Sequence, residues 1–286
     1  MRKGLRAAVA LLTAVTAATA TGCDPGPGDR KDLVITGTPP AKPYDGPLRI
    51  PARPLGERAE PAPRLDSGAA GRALECDGEI YTGGSNGGWG EADGGATPEE
   101  GLAAYFDLEQ PEEPDHGYRA ERETADRVLY SFDVAGRTKV AVVVAKDRPD
   151  SPGWGPETSA ACDPAELPAS FTDTQPYDIW TDAHGDRVPF TELHTTRGDA
   201  HCGWRSVTFL ETRGATYARD PEGALPTTML TGPYLPTARL PADARDTGHH
   251  LGERRLWRTA DTAAVYVGTS GEVESWPRVQ PGPGCK

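Results

Sequence analysis

The sequence predicts an α+β protein with two small, disulfide-braced domains of antiparallel sheet, the second mostly β, after a disordered proline-rich linker. Three observations support this class. One strong helix signal and several strand signals follow one another in residues 73–168, strand signals dominate residues 169–286, and each of these halves contains two cysteines. A chain of 286 residues is long enough for one large or two small domains.

Residues 1–22 are typical of an export signal peptide. Arg2, Lys3 and Arg6 supply the positive start, and the uncharged stretch 7–20 follows. This stretch is too short and too rich in alanine to span a membrane permanently. We therefore expect the mature chain to be extracytoplasmic.

The sequence Ala20-Thr21-Gly22-Cys23 resembles the lipobox of bacterial lipoproteins, although Ala20 stands where that family usually has Leu. The resemblance implies that the Cys23 thiol carries diacylglycerol and anchors the chain to the outer face of the cytoplasmic membrane. Ordinary secretion after Ala18-Thr19-Ala20 is the alternative. The cysteine count favours lipidation, because removing Cys23 leaves an even set for disulfides: Cys76, Cys162, Cys202 and Cys285.

Residues 23–72 form the predicted tether. They carry many prolines with scattered glycine and charge and no sustained periodicity, so they bury too little apolar surface to offset the entropy of ordering. A semi-stiff segment of this kind would hold the globular body away from the membrane.

In the first domain, residues 73–168, the clearest local signal is Thr97-Pro98-Glu99-Glu100. It combines a Thr N-cap, Pro at the first helical position and Glu at the third. Leu102, Tyr105 and Phe106 then share one helical face. An antiparallel meander should follow, with a turn at Ala135-Gly136. Its predicted strands are 118–122, 128–132, the central buried 139–145, and a short one leading into Cys162.

The second domain, residues 169–286, begins after a proline-rich junction. Asp182–Asp186 is typical of a hairpin turn, residues 202–210 fit helix and strand equally well, and residues 222–248 contain enough prolines to predict a long irregular excursion. The predicted strands are 177–180, 188–194, 206–210, 215–218, 255–258, 263–268 and 272–276.

The domain boundary also predicts the disulfides. Four cysteines allow three pairings, and only Cys76–Cys162 with Cys202–Cys285 keeps both bridges from crossing the proline-rich junction. Cys285 would then hold a C-terminus that otherwise frays.

No motif predicts a catalytic or metal site. Gly83-Gly84-Ser85-Asn86-Gly87 matches G-x-S-x-G literally, but a nucleophile elbow needs a helix directly after the serine. The following residues are glycine-rich, which favours a flexible loop. The six histidines lack ligand spacing, and no phosphate-binding or dinucleotide motif occurs. We expect no cofactor and no metal.

Tryptophan offers the one candidate for an exposed binding side chain. The chain has six Trp and five Phe. Most tryptophans should pack in cores, but Trp89 lies in a glycine-rich stretch, and we expect it to be exposed and available for binding.

The second half, about residues 178–285, resembles uncharacterised secreted lipoproteins of high-GC actinobacteria. The similar segments are His201–Leu210, Leu240–Gly248, Leu256-Trp257 and Val273–Arg278, with a looser likeness at Ala161–Pro164. The resemblance implies origin and export and supplies no catalytic residue.

The charge further limits the function. With 43 acidic and 30 basic residues and a net charge of −13, nucleic acid is excluded as the main partner. The leading hypothesis is a non-catalytic, lipid-anchored envelope protein that binds an unknown protein or ligand. The alternative is a cell-surface hydrolase whose site forms only in three dimensions. The membrane contact would run through the N-terminal lipid.

Overall fold

The computed structural model describes residues 42–50, 63–109, 111–269 and 271–280. The predicted signal peptide, Cys23 and Cys285 lie outside the described residues. The α-helices of the described part are α1 (Pro63–Asp66), α2 (Gly68–Ala73), α3 (Pro98–Leu108) and α4 (Ala169–Thr172). None of its helices has the length and apolar character needed to cross a membrane.

The first half contains one five-stranded antiparallel sheet in the order β1-β5-β4-β3-β2. Its strands are β1 (Ile80–Ser85), β2 (Arg119–Glu123), β3 (Arg127–Val134), β4 (Arg137–Arg148) and β5 (Ser151–Cys162). The predicted turn at Ala135-Gly136 is confirmed, with φ of 52° and 76°. Strand β1 was not predicted, because its glycines carry no strand pattern.

Helices cover both faces of this sheet. Val140, Val142 and Val144 of β4 pack in the cluster that contains α3, whereas Ala141 and Val143 pack in the cluster on the other face. The central buried strand predicted at 139–145 is therefore confirmed, because a strand covered on both faces is apolar at successive positions.

Helix α3 begins as predicted. The Thr97 side chain accepts a hydrogen bond from the Glu100 backbone N–H at 3.3 Å, and Pro98 occupies the first turn. Leu102, Tyr105 and Phe106 are buried, so the predicted apolar face is confirmed.

The predicted tether extends too far along the chain. Leu48 is buried with Ala69 and Ala70 of α2 against the second face of the first sheet. The prediction of disorder up to residue 72 is therefore wrong for residues 42–50 and 63–72. Small residues can pack closely on a sheet. Because they are only weakly hydrophobic, no signal in the sequence predicted the packing of α2 on the sheet. Residues 23–41 and 51–62 lie outside the described part.

The second half is mostly β, as predicted. A four-stranded sheet has the order β6-β7-β8-β9, and a five-stranded sheet has the order β10-β14-β13-β12-β11. The strands are β6 (Tyr177–Ile179), β7 (Leu193–Arg197), β8 (Thr208–Thr212), β9 (Ala215–Arg219), β10 (Leu235–Ala238), β11 (Arg245–Leu251), β12 (Arg254–Arg258), β13 (Ala264–Gly268) and β14 (Val273–Pro277). Their shared core includes Trp180, Leu210, Leu256 and Trp276.

Two local predictions in this half need correction. Residues 222–248 contain β10 and the start of β11, because an edge strand tolerates a proline such as Pro236. Residues 188–192 precede β7 as a turn, in which the Leu193 N–H donates to the Pro189 carbonyl. The hairpin turn at Asp182–Asp186 is confirmed, with Asp182 accepting from the His184 and Asp186 N–H groups.

The Cys76–Cys162 disulfide is present, with its Cα atoms 5.3 Å apart, which confirms this predicted pair. Its sequence separation of 86 residues corresponds to a stabilisation of about 4.5 kcal/mol in the chain-entropy model. Cys202 is also disulfide-bonded. Its predicted partner Cys285 lies outside the described residues, so that pairing stays a prediction.

The two halves touch through Asp163. Its carboxylate accepts hydrogen bonds from the backbone N–H groups of Phe190 at 2.7 Å and Thr191 at 3.2 Å. All described residues belong to one compact unit, although each half keeps its own hydrophobic clusters. The division into two domains stays a prediction.

Candidate functional site

A cavity of about 330 Å³ lies on the α3 side of the first sheet. Its walls come from β1, β5, α3 and the segment 111–113 that follows α3. We name it the Glu113 cleft after its most buried charged residue. The volume lies at the lower end of the range for small-molecule sites.

Glu113 is placed by the short segment after α3. Pro111 and Pro114 flank Glu112 and Glu113, and each proline fixes its own φ. The Glu113 side chain turns inward and is only 8% exposed. One of its oxygens, Oε2, accepts a hydrogen bond of 2.9 Å from the hydroxyl of Tyr105 on α3.

The environment of Glu113 favours its neutral form. Burial raises its pKa to about 7, and the hydrogen bond from Tyr105 only partly opposes the shift. Among the described residues, no Lys, Arg or His lines the cleft. Near neutral pH this carboxyl group can therefore either donate or accept a hydrogen bond.

Asn86 supplies a second polar group to the Glu113 cleft. Its backbone N–H donates to the Glu157 carbonyl at 2.9 Å, which fixes the chain just beyond β1. Its side-chain oxygen accepts from the Ser159 hydroxyl at 3.3 Å. The amide Nδ2 is buried and has no hydrogen-bond partner in the described structure. An unpaired buried donor costs free energy that a ligand acceptor would recover.

The remaining polar residues of the cleft add negative charge and aromatic surface. Glu109 and Glu112 are exposed side chains that line it. Tyr81 is 37% exposed, and its ring meets Phe190 edge to face at 5.4 Å. Burial, followed by the charge of Glu112, raises the pKa of Tyr81, so its phenol stays neutral. The cleft therefore suits a ligand that is neutral or positively charged.

The sequence-predicted candidates occupy other positions. Ser85 is the last residue of β1 and pairs with Thr158 of β5. Gly83 and Gly84 also lie in β1, so the prediction of a flexible loop there is wrong. No helix follows Ser85 directly, since α3 begins at Pro98, and the nucleophile-elbow geometry is absent at this serine.

The prediction that Trp89 is exposed is wrong. This side chain is 4% exposed, and its indole N–H donates to the Pro152 carbonyl at 2.7 Å. Gly155 leaves room for the indole, because a Cβ there would come within 2.2 Å of the ring. The glycines around Trp89 therefore leave space for the ring to pack, and they do not form a flexible loop that exposes it.

Two groups of side chains in the described part are close enough to share a metal ion. They are Cys76 with Cys162 and Glu166, and Asp199 with His201 and Cys202. Each group includes a disulfide-bonded cysteine, and a sulfur in a disulfide is not a thiolate ligand. Neither group therefore offers a complete ligand set.

Sequence reasoning missed the Glu113 cleft. Glu113 is one of 43 acidic residues, and Tyr105 reads simply as part of the apolar face of α3. The one available signal is the acidic pair between two prolines, because such a rigid segment can hold a carboxylate in place. Comparison with protein-family models, curated proteins and solved structures gives no match.

Proposed function

We propose that this protein is a lipid-anchored extracytoplasmic binding protein, and that its ligand occupies the Glu113 cleft. The observation that carries the proposal is a cavity lined by a buried carboxyl group and by an amide donor without a partner. Such convergent polar groups in one cavity are the usual mark of a small-molecule site.

The cellular part of the proposal depends on the N-terminus. The lipobox-like Ala20–Cys23 supports an anchor on the outer face of the cytoplasmic membrane, and the Cys76–Cys162 disulfide fits an oxidising compartment. Residues 23–41 would connect the lipid to the folded body, whose two halves we propose to be two domains. The Cys202–Cys285 bridge belongs to the same proposal.

The anchor is tested by changing Cys23 to Ser. We expect the variant to appear in the medium or to stay unprocessed, because it lacks the thiol that receives the lipid. A Cys23→Ser protein that is cleaved normally and stays in the membrane would refute the anchor and leave the cleft proposal intact.

The chemistry of the cleft defines a class of ligand. Glu109 and Glu112 give it negative potential, Glu113 adds a further charge when it ionises, and Asn86 Nδ2 requires an acceptor. A small molecule with an ammonium group and a hydrogen-bond acceptor would satisfy both. Binding a cation would favour the ionised form of Glu113, so it would release a proton below pH 7.

Three probes with one carbon skeleton test this ligand class: benzylamine, benzyl alcohol and benzoate. We expect benzylamine to bind most tightly and benzoate most weakly, with amide NMR shifts at Gly84, Asn86 and Ser159. Glu113→Gln should reduce the preference for the amine. Glu192→Gln is the matched control, because Glu192 is exposed and does not line the cleft. If none of the probes shifts the cleft resonances, the binding proposal fails.

Hydrolysis is the second candidate, and the raised pKa of Glu113 favours it. A carboxyl group that titrates near neutral pH is suited to general acid catalysis, and Glu109 or Glu112 could supply the second carboxylate. A panel of glycoside and ester substrates tests this function. Turnover that Glu113→Gln abolishes and Glu192→Gln preserves would replace binding with catalysis as the function of the cleft.

A further inference from the structure

We infer that the protein has a second ligand site, a pocket for a phosphate group on the opposite face of the first sheet. This pocket has a volume of about 450 Å³, and its charged wall includes Arg49, Lys146 and Arg148. We name it the Arg148 pocket. It goes beyond the proposed function, because its charge is opposite to that of the Glu113 cleft.

The two sites lie on opposite faces because they use alternate residues along β5 and along β1 with the residue that follows it. Ser85 and Thr158 line the Arg148 pocket, whereas Asn86 and Ser159 line the Glu113 cleft. Successive residues of a strand point to opposite faces of a sheet. A Cβ on Gly68 of α2 would touch both Thr158 and Ile50, which places this wall on the α2 side.

The acidic side chains of the Arg148 pocket are already engaged. Arg127 donates to both oxygens of Glu157, at 2.7 and 2.9 Å, and also to Asp126. Asp147 accepts from the Gly153 N–H at 2.9 Å. Because these acidic groups already have partners within the fold, they compete less with a bound anion for the basic side chains of the pocket.

The remaining cations of the pocket have few partners. Arg148 lies 4.0 Å from Glu157 through its Nε, and its Nη1 is buried without a hydrogen-bond partner in the described structure. Within the same described residues, Arg49 and Lys146 make no ion pair and line the pocket. A buried guanidinium donor with no acceptor indicates a position for an oxyanion.

A phosphate ester fits this arrangement better than a carboxylate does. A phosphate group has more acceptor oxygens than a carboxylate, so it can accept from more of the donors that line the pocket, which are Arg49, Lys146, Arg148 and the Ser85 hydroxyl. A volume of about 450 Å³ leaves room for the group that carries the phosphate. The class is therefore a small phosphorylated molecule.

The test uses inorganic phosphate, methyl phosphate and acetate with the purified protein, followed by calorimetry and amide NMR at low ionic strength. We expect both phosphates to bind at least about tenfold more tightly than acetate. Acetate has fewer acceptor oxygens, and the loss of one hydrogen bond to a charged group accounts for a difference of about this size. The shifts should centre on Ser85, Lys146 and Arg148. Tighter binding of methyl phosphate than of inorganic phosphate would indicate an ester as the natural form, and the reverse order would indicate the free ion.

Variants locate the site. Arg148→Met should weaken phosphate binding about tenfold, whereas Arg213→Met, at the exposed turn between β8 and β9, should leave it unchanged.

Asp147→Asn should strengthen binding, because it removes a negative charge and keeps the acceptor for Gly153. Lys146→Met, at an exposed position, replaces Arg148→Met if that variant does not fold. Absent phosphate binding, or equal binding by the Arg148 and Arg213 variants, would overturn the proposal.

Discussion

Glu113 in the first half of the molecule and Glu274 in the second are both shielded from solvent, and the two have opposite surroundings. Within the described residues, Glu113 accepts one hydrogen bond, from the Tyr105 hydroxyl. Glu274, on β14 in the second half, accepts from Arg219 at 3.0 Å, Arg254 at 2.9 Å and the Trp276 indole at 2.7 Å. The Glu274 carboxylate therefore accepts hydrogen bonds from three side chains, whereas the Glu113 carboxyl group accepts from one.

The pKa values follow this difference. Burial acts to raise the pKa of both carboxyl groups. At Glu274 the hydrogen bonds from Arg219 and Trp276, with the charge of Arg254, outweigh burial and lower the pKa. At Glu113 burial prevails. The Glu274 carboxylate stabilises the fold, because its hydrogen bonds join strands of two sheets. The Glu113 carboxyl group has one hydrogen-bond donor and faces a cavity, so it is available to a ligand.

The largest expected effect concerns Glu113 and pH. The folded protein holds a proton on Glu113 up to about pH 7, while the unfolded chain releases it near the ordinary value of 4.5. The free energy of unfolding should therefore decrease between these two pH values, by about 3 kcal/mol in total for this group, and stay level above them.

Glu113→Gln removes this pH dependence, because the amide keeps an acceptor for Tyr105 and never ionises. Denaturant unfolding of both proteins between pH 4.5 and 8 measures the difference. The variant should gain stability relative to the wild type as the pH rises. A constant difference across this range would mean that Glu113 is ionised throughout and resembles Glu274.

A smaller effect is expected for Glu274→Gln. Removing the charge should cost about 1–2 kcal/mol at pH 7, since Arg219 and Arg254 are each about one third exposed and solvent screens them. The contribution of Glu274 is present above its unfolded pKa and is lost as the pH falls through the lower folded value. The difference from wild type should stay level from pH 6 to 8 and shrink in acid, which is the opposite of the trend for Glu113.

The smallest effect concerns two adjacent glycines of β1. A Cβ on Gly83 would lie 2.3 Å from the Ser67 hydroxyl and 3.0 Å from Ala160, whereas a Cβ on Gly84 meets nothing within 4 Å. We expect Gly83→Ala to lower the free energy of unfolding by about 1 kcal/mol or more. Gly84→Ala should change it by less than about 0.5 kcal/mol. Equal losses would show that the Glu113 cleft is closed beside Gly84.

The sequence predicted those parts of the fold that depend on local signals. The N-cap at Thr97, the turn at Ala135-Gly136 and the apolar strand at 139–145 each follow from a few neighbouring residues. The sequence did not predict strand β1 or the packing of Trp89. Both depend on glycines whose neighbours are distant in the chain: β1 pairs with β5, and Gly155 lies against the Trp89 ring. The pKa of Glu113 is also a long-range property, since burial arises only when α3 and the first sheet come together.

The protonation state of Glu113 is tested most directly by a ¹³C NMR titration of its side-chain carboxyl group, assigned with the Glu113→Gln variant. We expect a midpoint near pH 7 for Glu113 and, in the same spectra, a midpoint for Glu274 below the ordinary value for glutamate. A Glu113 midpoint near pH 4.5 would contradict the central claim, because the carboxyl group would then be as well satisfied as an exposed one.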